Sequence, residues 1–165
     1  MRIDVLTPDD WPVVRAIYEE GIATGNATLE ARAPDWVAWD DEHRPDCRFV
    51  ARDDDGTVLG WVALTPASGR CVYGGVAEVS VYVAAAARGR GVGRALMGAV
   101  VAASEAAGIW TLQAGIHPEN AASLAVHHRV GFRDVGVRER LGQDPSGRWR
   151  DVLILERRSR VVGAD

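Results

Sequence analysis

A glycine-rich segment in the middle of the chain has the composition of an anion-binding turn. Residues 88–93 read Arg-Gly-Arg-Gly-Val-Gly, and they stand between a strand-like stretch and a helix-like stretch. Glycines let the backbone approach an anion closely, and the N–H groups and dipole of a following helix stabilise a phosphate. A tight turn with solvated arginines would have the same composition, so the segment is weak evidence by itself.

A dinucleotide-binding Rossmann fold could also use such a loop, but two features of the sequence oppose it. The loop comes after roughly half the chain, behind a hairpin pattern, whereas a Rossmann loop opens a βαβ unit. In addition, no repeating alternation of helices and long parallel strands follows it.

Glu78 is a candidate general base. It lies in the strand-like stretch before the glycine-rich turn, among Val76, Val79 and Val81. A carboxylate is costly to bury there unless it has a partner or a use. The alternative is a glutamate on the outward face of the strand.

His127 is the second candidate for proton transfer. At helical spacing it shares one stripe with Asn120, Leu124 and Gly131, which places the imidazole on the buried side of its helix. A histidine there can act as an acid or share the role of base. The alternatives are a core histidine for His127 and a simple N-cap for Asn120. The chain has no Cys/His cluster with ligand spacing, so we expect no metal site.

These groups must be positioned by helices and strands. The pattern of apolar and turn residues over residues 1–165 predicts a mixed α/β domain of about seven strands and four helices. The first helix carries an apolar stripe of Val13, Val14, Ile17 and Tyr18. The third helix follows the 88–93 turn and ends at Gly108. The predicted strands are 2–6, 48–52, 58–64, 76–83, 109–116, 132–141 and 149–155, and the other predicted helices are 7–22, 34–42 and 120–131.

Composition narrows the function classes. The net charge of −4 gives no general attraction to nucleic acid or to anionic membranes. The N-terminus is too polar for a signal peptide, and no apolar run approaches the ~20 residues of a membrane helix, so we expect a soluble cytoplasmic protein. Cys47 and Cys71 are expected to be unpaired thiols. All 19 basic residues are arginine, which excludes Schiff-base lysine chemistry and a P-loop lysine.

Two motifs together resemble the GNAT family of acetyltransferases. The Arg88-x-x-Gly91-x-Gly93 turn resembles its acetyl-CoA pyrophosphate loop, and residues 120–132, which end in Gly-Phe, resemble its second cofactor motif. Residues 26–28, 78–83 and 149–152 and the Arg70-x-x-Tyr73 pair are similar to the phosphinothricin and methionine sulfone/sulfoximine N-acetyltransferase branch. This resemblance covers nearly the whole chain.

The resemblance implies a site for acetyl-CoA. Backbone groups of residues 81–83 would pair with the pantetheine arm, residues 89–94 would hold the pyrophosphate, and Asn120 would contact the pantetheine or the thioester end. The implied cofactor-binding residues are Val81, Tyr82, Val83, Arg88, Gly89, Arg90, Gly91, Val92, Gly93, Arg94, Asn120 and Ser123.

The resemblance also implies roles in catalysis and acceptor binding. It places the catalytic glutamate at Glu78, and it places His127 where many relatives have a tyrosine that protonates the leaving thiolate. The implied acceptor-binding residues are Leu29, Arg70, Tyr73 and Ser80, with Arg70 and Tyr73 on the acceptor's acidic group. Leu29 stands where this branch usually has an aromatic residue, and Ser68 where it usually has a basic one.

The sequence therefore predicts an enzyme that moves acetyl from acetyl-CoA to an amino-acid-like amine by direct attack, and the branch implies a homodimer. One alternative is a different acceptor, such as an aminoglycoside, a polyamine or a protein N-terminus. Another is an acyl-CoA-binding module without catalysis. The cation at Arg70 opposes a polycationic acceptor, and the presence of both Glu78 and His127 opposes the module.

Overall fold

Seven strands form one sheet in the computed structural model, which describes residues 1–164. The order across the sheet is β1-β2-β3-β4-β5-β7-β6, and every neighbouring pair is antiparallel except β4 and β5. The strands are β1 (Arg2–Val5), β2 (Arg48–Arg52), β3 (Val58–Pro66), β4 (Val76–Val83), β5 (Thr111–Ile116), β6 (Arg133–Gln143) and β7 (Trp149–Arg158). The helices are α1 (Trp11–Ala23), α2 (Trp36–Glu42), α3 (Val92–Ala106) and α4 (Ala121–Arg129).

β4 and β5 share a ladder only near their amino ends. The ladder begins where Val76 faces Thr111, and its last rung joins Glu78 to Gln113. β4 continues to Val83 and β5 to Ile116, but within the described residues these later parts do not pair with each other. The two central strands therefore part beyond Glu78 and leave an open edge on each.

The two faces of the sheet carry different cores. α3 covers one face with an aliphatic cluster that includes Leu96, Met97 and Val100 together with Ala77 and Val79 of β4. α1 and α2 cover the other face with an aromatic cluster, in which Trp61 stacks on Tyr82 of β4. Since side chains alternate along a strand, Glu78 and Ser80 lie on the same face of β4 as Tyr82.

The fold agrees with the predicted mixed α/β class, and the elements differ mainly at their ends. The first helix is preceded by a 3₁₀ turn, Pro8–Asp10, because the Asp10 carboxylate accepts the N–H of Thr7 at 3.0 Å and holds that turn. The predicted stripe is wrong at Val13, which is 44% exposed, whereas Trp11 is buried. No helix among residues 1–164 is both long enough and apolar enough to span a membrane.

Candidate functional site

The glycine-rich turn leads directly into α3, as the sequence predicted. Gly91 is the N-cap of α3 and has a left-handed backbone with φ of 82°, and Gly89 has φ of 75°. Ala95 donates its N–H to the Gly91 carbonyl at 3.1 Å, so the N–H groups of residues 92–94 precede the helical hydrogen-bond ladder. These groups and the helix dipole suit an anionic ligand.

A cavity of about 940 Å³ connects this turn with the cleft between β4 and β5. It contains most of the residues that the sequence singled out, and it extends to the loop that follows α1. The sequence-predicted residues that line it are Leu29, Glu78, Ser80, Val81, Tyr82, Val83, Arg88, Gly89, Gly91, Val92, Gly93, Arg94, Asn120, Ser123 and His127.

Three predicted residues lie outside the cavity. Arg90 forms an ion pair with Asp53 at 2.8 Å on the surface. Arg70 places its guanidinium carbon 5.4 Å from the ring centroid of Tyr73, and both residues lie on the loop before β4. The structure therefore does not bring Arg70 and Tyr73 to Glu78, and their roles stay predictions.

Glu78 faces the cavity from the last rung shared by β4 and β5. Its carboxylate accepts a hydrogen bond from the Gln113 side-chain amide at 3.2 Å, and the side chain is exposed. A carboxylate held by one neutral donor keeps lone pairs for a further proton donor. Glu78 can thus accept a proton from a ligand in the cavity.

His127 is buried on α4 against Phe132, whose ring meets the imidazole edge-on at 5.0 Å. Its Nδ1 lies 2.8 Å from the Ser123 carbonyl oxygen, and because a carbonyl only accepts, this contact assigns the proton to Nδ1. Nε2 is inaccessible and has no hydrogen-bond partner within residues 1–164. Burial lowers the pKa of His127, which favours the neutral ring.

Both ends of the Asn120 side chain are already engaged. Oδ1 accepts the Ser123 N–H at 3.1 Å, which is the N-cap bond of α4, and Nδ2 donates to the Asn26 carbonyl at 3.0 Å. The N-cap interpretation of Asn120 is therefore confirmed. A side-chain contact from Asn120 to a ligand would compete with one of these bonds.

The side chain of Tyr82 points away from the open edge of β4. Its ring stacks on Trp61 at 4.9 Å and lies 4.8 Å from Tyr18, and burial raises the pKa of its hydroxyl. Ala84 donates its N–H to Leu59 of β3, and backbone direction alternates along a strand, so the backbone of Tyr82 also faces β3. The backbone groups that face the open edge are those of Val81 and Val83.

Sequence reasoning missed several polar residues that line the cavity, among them Gln113, His117 and Arg138. Gln113 and Arg138 lie on strands whose neighbours only the sheet order reveals. His117 follows β5, is 4% exposed, and its Nδ1 lies 3.2 Å from the Asp151 carbonyl. The sequence offered no helical or motif context for it.

Neither thiol of the described residues lies in the cavity. Cys47 is buried, and burial raises the pKa of its thiol to about 11, while Cys71 is exposed on the loop before β4. No group of three or more potential metal ligands occurs within residues 1–164. The described chemistry of the cavity is that of a carboxylate, imidazoles, arginines and backbone amides.

Comparisons with known proteins agree with this geometry. The model of the acetyltransferase (GNAT) family matches residues 13–132. A phosphinothricin N-acetyltransferase of Alcaligenes faecalis is 34% identical over 164 residues, which cover 94% of this chain and 81% of that protein. An L-methionine sulfoximine/L-methionine sulfone acetyltransferase of Pseudomonas paraeruginosa is 32% identical over 155 residues, which cover 89% of this chain and 88% of that protein.

A solved structure has the same architecture. A phosphinothricin acetyltransferase of the GNAT superfamily from Sinorhizobium meliloti, in complex with AcCoA, superposes with a TM-score of 0.88 at 26% identity. The match covers 99% of this chain and 91% of that one.

Proposed function

This chain belongs to the GNAT family of acetyltransferases, and we propose that its acceptors are phosphinothricin, methionine sulfone and methionine sulfoximine or amines of their type. The chain is an N-acetyltransferase that uses acetyl-CoA and acts on a small amino-acid-like amine. The observation that carries the proposal is that Glu78 and the glycine-rich turn open into one cavity.

The residues of the cavity fit acetyl-CoA. The left-handed Gly91 and the first N–H groups of α3 suit a pyrophosphate, and Arg88 and Arg94 add positive charge at the same end. The open edge of β4 at residues 81–83 offers backbone donors and acceptors to an amide-containing arm. When bound, acetyl-CoA supplies the activated acetyl thioester.

Glu78 performs the proton transfer that the acceptor needs. An ammonium group with a pKa of roughly 8–10 has no lone pair for attack at neutral pH, so a base must remove its proton. Glu78 faces the cavity with one neutral hydrogen-bond partner, Gln113, which holds the carboxylate in place. The attack is direct, because both thiols of the described chain lie outside the cavity.

His127 supports the reaction as a neutral imidazole. The Nδ1 proton is held by the Ser123 carbonyl, so the lone pair is on Nε2, which is buried in a residue that lines the cavity. Because burial lowers its pKa, the ring is mostly neutral at neutral pH and has no second proton to give to a leaving group. We therefore assign His127 to positioning rather than to protonation of the leaving group. Sharing the role of base with Glu78 would require ligand binding to expose Nε2.

The acidic group of the acceptor has two candidate cations. Arg138 lines the cavity from β6, and it is paired in register with Val152, which lines the cavity too. Arg70, with Tyr73, is the candidate from the sequence and lies outside the cavity. Leu29 and Ser80, the other acceptor-binding residues predicted from the sequence, line the same cavity as Arg138. Arg138 is the candidate that this geometry favours.

A homodimer is part of the proposal. β6 is a long edge strand that is exposed along nearly its whole length, and it carries Val135 and Val137 at 51% and 52% exposure. Trp149 of β7, which is 56% exposed, pairs with Gln143 at the other end of β6. An exposed edge with apolar side chains is a surface that a second copy would cover. Sedimentation at micromolar concentration distinguishes a dimer from a monomer.

We also propose a cytoplasmic location and one GNAT domain over residues 1–165.

The test of the function is release of free thiol from acetyl-CoA in the presence of each acceptor. We expect turnover with methionine sulfone, methionine sulfoximine and phosphinothricin, and kcat/KM highest for the first two. Acetyl-CoA without acceptor, and the Glu78→Gln enzyme, are the controls. Turnover confined to aminoglycosides, polyamines or peptide N-termini would contradict the acceptor class. Tight acetyl-CoA binding without turnover on any amine would favour the non-catalytic alternative.

A further inference from the structure

The loop between α1 and α2 lines the cavity and carries Leu29, which the family resemblance assigns to acceptor binding. We name residues 24–29 the acceptor loop; Thr24 and residues 26–29 all line the cavity. Its internal bonds are local ones, such as the Asn26 N–H to the Thr24 hydroxyl at 3.1 Å. Its position relative to the cofactor end of the site is set by contacts from distant parts of the chain.

Two side chains from distant parts of the chain hold the backbone of this loop. Asn120 Nδ2 donates to the Asn26 carbonyl at 3.0 Å, and Arg150 Nη1 donates to the Gly25 carbonyl at 2.7 Å. The two accepting carbonyls are consecutive along the chain. The donors come from the N-cap of α4 and from β7.

Arg150 is unusual for an arginine because only 6% of it is exposed. Its guanidinium lies 3.5 Å from a carboxylate oxygen of Glu119 and 3.5 Å from one of Asp144, so both ion pairs are long. Its shortest contact is the one to Gly25. A buried guanidinium is costly unless its donors are satisfied, and the loop carbonyl satisfies one of them at the best distance.

Asn120 connects the loop to the helix that lies along the cofactor end of the cavity. Its Oδ1 caps α4 through Ser123, and its Nδ2 holds Asn26, so one amide group fixes both segments. At the other end of the loop, Leu29 packs against Gly142 of β6. Its Cδ1 lies 2.8 Å from the point that a Cβ on Gly142 would occupy. The loop therefore has little freedom to shift away from α4, β6 and β7.

We propose that Asn120 and Arg150 are positioning residues that hold the acceptor loop against α4 and β7, and that acceptor affinity depends on this attachment. The inference rests on the proposed function, since the loop binds an acceptor only if the chain is an acetyltransferase of this acceptor class. It assigns the Asn120 amide to the loop, rather than to the cofactor as the family resemblance implied.

Asn120→Ser tests the attachment without removing the cap, because serine is as good an N-cap as asparagine but cannot reach the Asn26 carbonyl. We expect KM for methionine sulfone to rise about five- to tenfold, as for loss of a hydrogen bond. We expect kcat and the acetyl-CoA dissociation constant to stay within about twofold. Faster amide hydrogen exchange in residues 24–29, with unchanged exchange in α4, is the second expected result.

Arg150→Met and Arg150→Lys form the matched pair on the other attachment. The methionine variant should raise KM for the acceptor and accelerate exchange in the loop, and lysine, which keeps a donor and the charge, should restore part of both. If Arg150→Met does not fold, Asn120→Ser alone decides the question.

Three outcomes would overturn the proposal. One is unchanged acceptor KM and unchanged loop exchange in the folded variants. Another is a rise in the acetyl-CoA dissociation constant with no change in acceptor KM. The third is that kcat falls, acceptor KM rises and the acetyl-CoA dissociation constant rises by similar factors, which would indicate general structural damage. A wild-type enzyme inactive on every proposed acceptor would refute the proposed function, and hydrogen exchange would still decide whether the loop is held.

Discussion

The side-chain amide of Gln113 donates a hydrogen bond to the carboxylate of Glu78 at 3.2 Å, across the last rung that β4 and β5 share. Glu78, the proposed proton acceptor, thus lies at the point where β4 and β5 stop pairing. Its orientation is set by the strand register, and the single bond from Gln113 leaves further lone pairs of the carboxylate for the acceptor.

Glu78→Gln should keep acetyl-CoA binding and lose turnover by about a hundredfold or more, because the amide cannot accept the ammonium proton. The loss should shrink as pH rises, since a larger fraction of the amine is then deprotonated without help. Initial rates from pH 7 to 9.5 measure both effects. Gln113→Leu, which leaves the carboxylate, is the matched control and should lose far less. Wild-type activity of Glu78→Gln at pH 7 would remove the base assignment.

Gly91→Val should raise the acetyl-CoA dissociation constant at least tenfold, which corresponds to about 1.4 kcal/mol. No heavy atom lies within 4 Å of a Cβ at this position, so the expected cause is the left-handed φ of 82° rather than a clash with the protein. Gly98→Ala, on the exposed side of α3 with equally open surroundings, is the control. If calorimetry finds the same acetyl-CoA affinity for both variants, the glycine-rich turn is not part of the cofactor site.

His127→Ala should lower kcat by about tenfold or more while acetyl-CoA affinity changes less. His127→Tyr is expected to keep part of the activity, because the family resemblance places tyrosine at this position in many relatives. The two variants also differ in packing on Phe132, so thermal unfolding should be measured beside the kinetics. If both retain the wild-type kcat, His127 is a packing residue only.

Arg138→Gln should raise KM for all three proposed acceptors about tenfold or more, through loss of a charge-assisted contact inside the cavity. Arg70→Gln removes the same charge from the loop outside the cavity, and the sequence-based prediction assigns the rise in KM to that change instead. Steady-state kinetics on the two variants decides between them. Unchanged KM values in both would show that neither arginine binds the acceptor.

Stability should fall as pH decreases below about 6.5, the ordinary pKa of histidine. Burial lowers the pKa of both His43 and His127 in the folded chain. Below about pH 6.5 these histidines therefore bind more protons in the unfolded chain than in the folded one. This contribution is fully present above the unfolded pKa and is lost as pH falls through the folded one. The free energy of unfolding should therefore drop between pH 7.5 and 5.5. His43→Phe should show a smaller drop, and an equal drop would contradict the assignment.

The sequence predicted the local features of this molecule well, because they depend on neighbouring residues. The turn at Gly91, the cap at Asn120 and the alternation of β4 are all of this kind. It could not predict the contact of Gln113 with Glu78 or of Arg150 with Gly25, because these depend on which strands and loops become neighbours. The family resemblance placed Arg70 at the acceptor, but in this structure it lies outside the cavity.

The parting of β4 from β5 has a consequence for how the site tolerates mutation. If the open edge holds its ligand through N–H and C=O groups, recognition there does not depend on which side chains residues 81–83 carry. Saturation mutagenesis should then find many functional replacements at Val81 and Val83 that suit the aliphatic core behind them. Proline should stand apart as intolerable at both positions, because it is the one residue that removes the N–H itself.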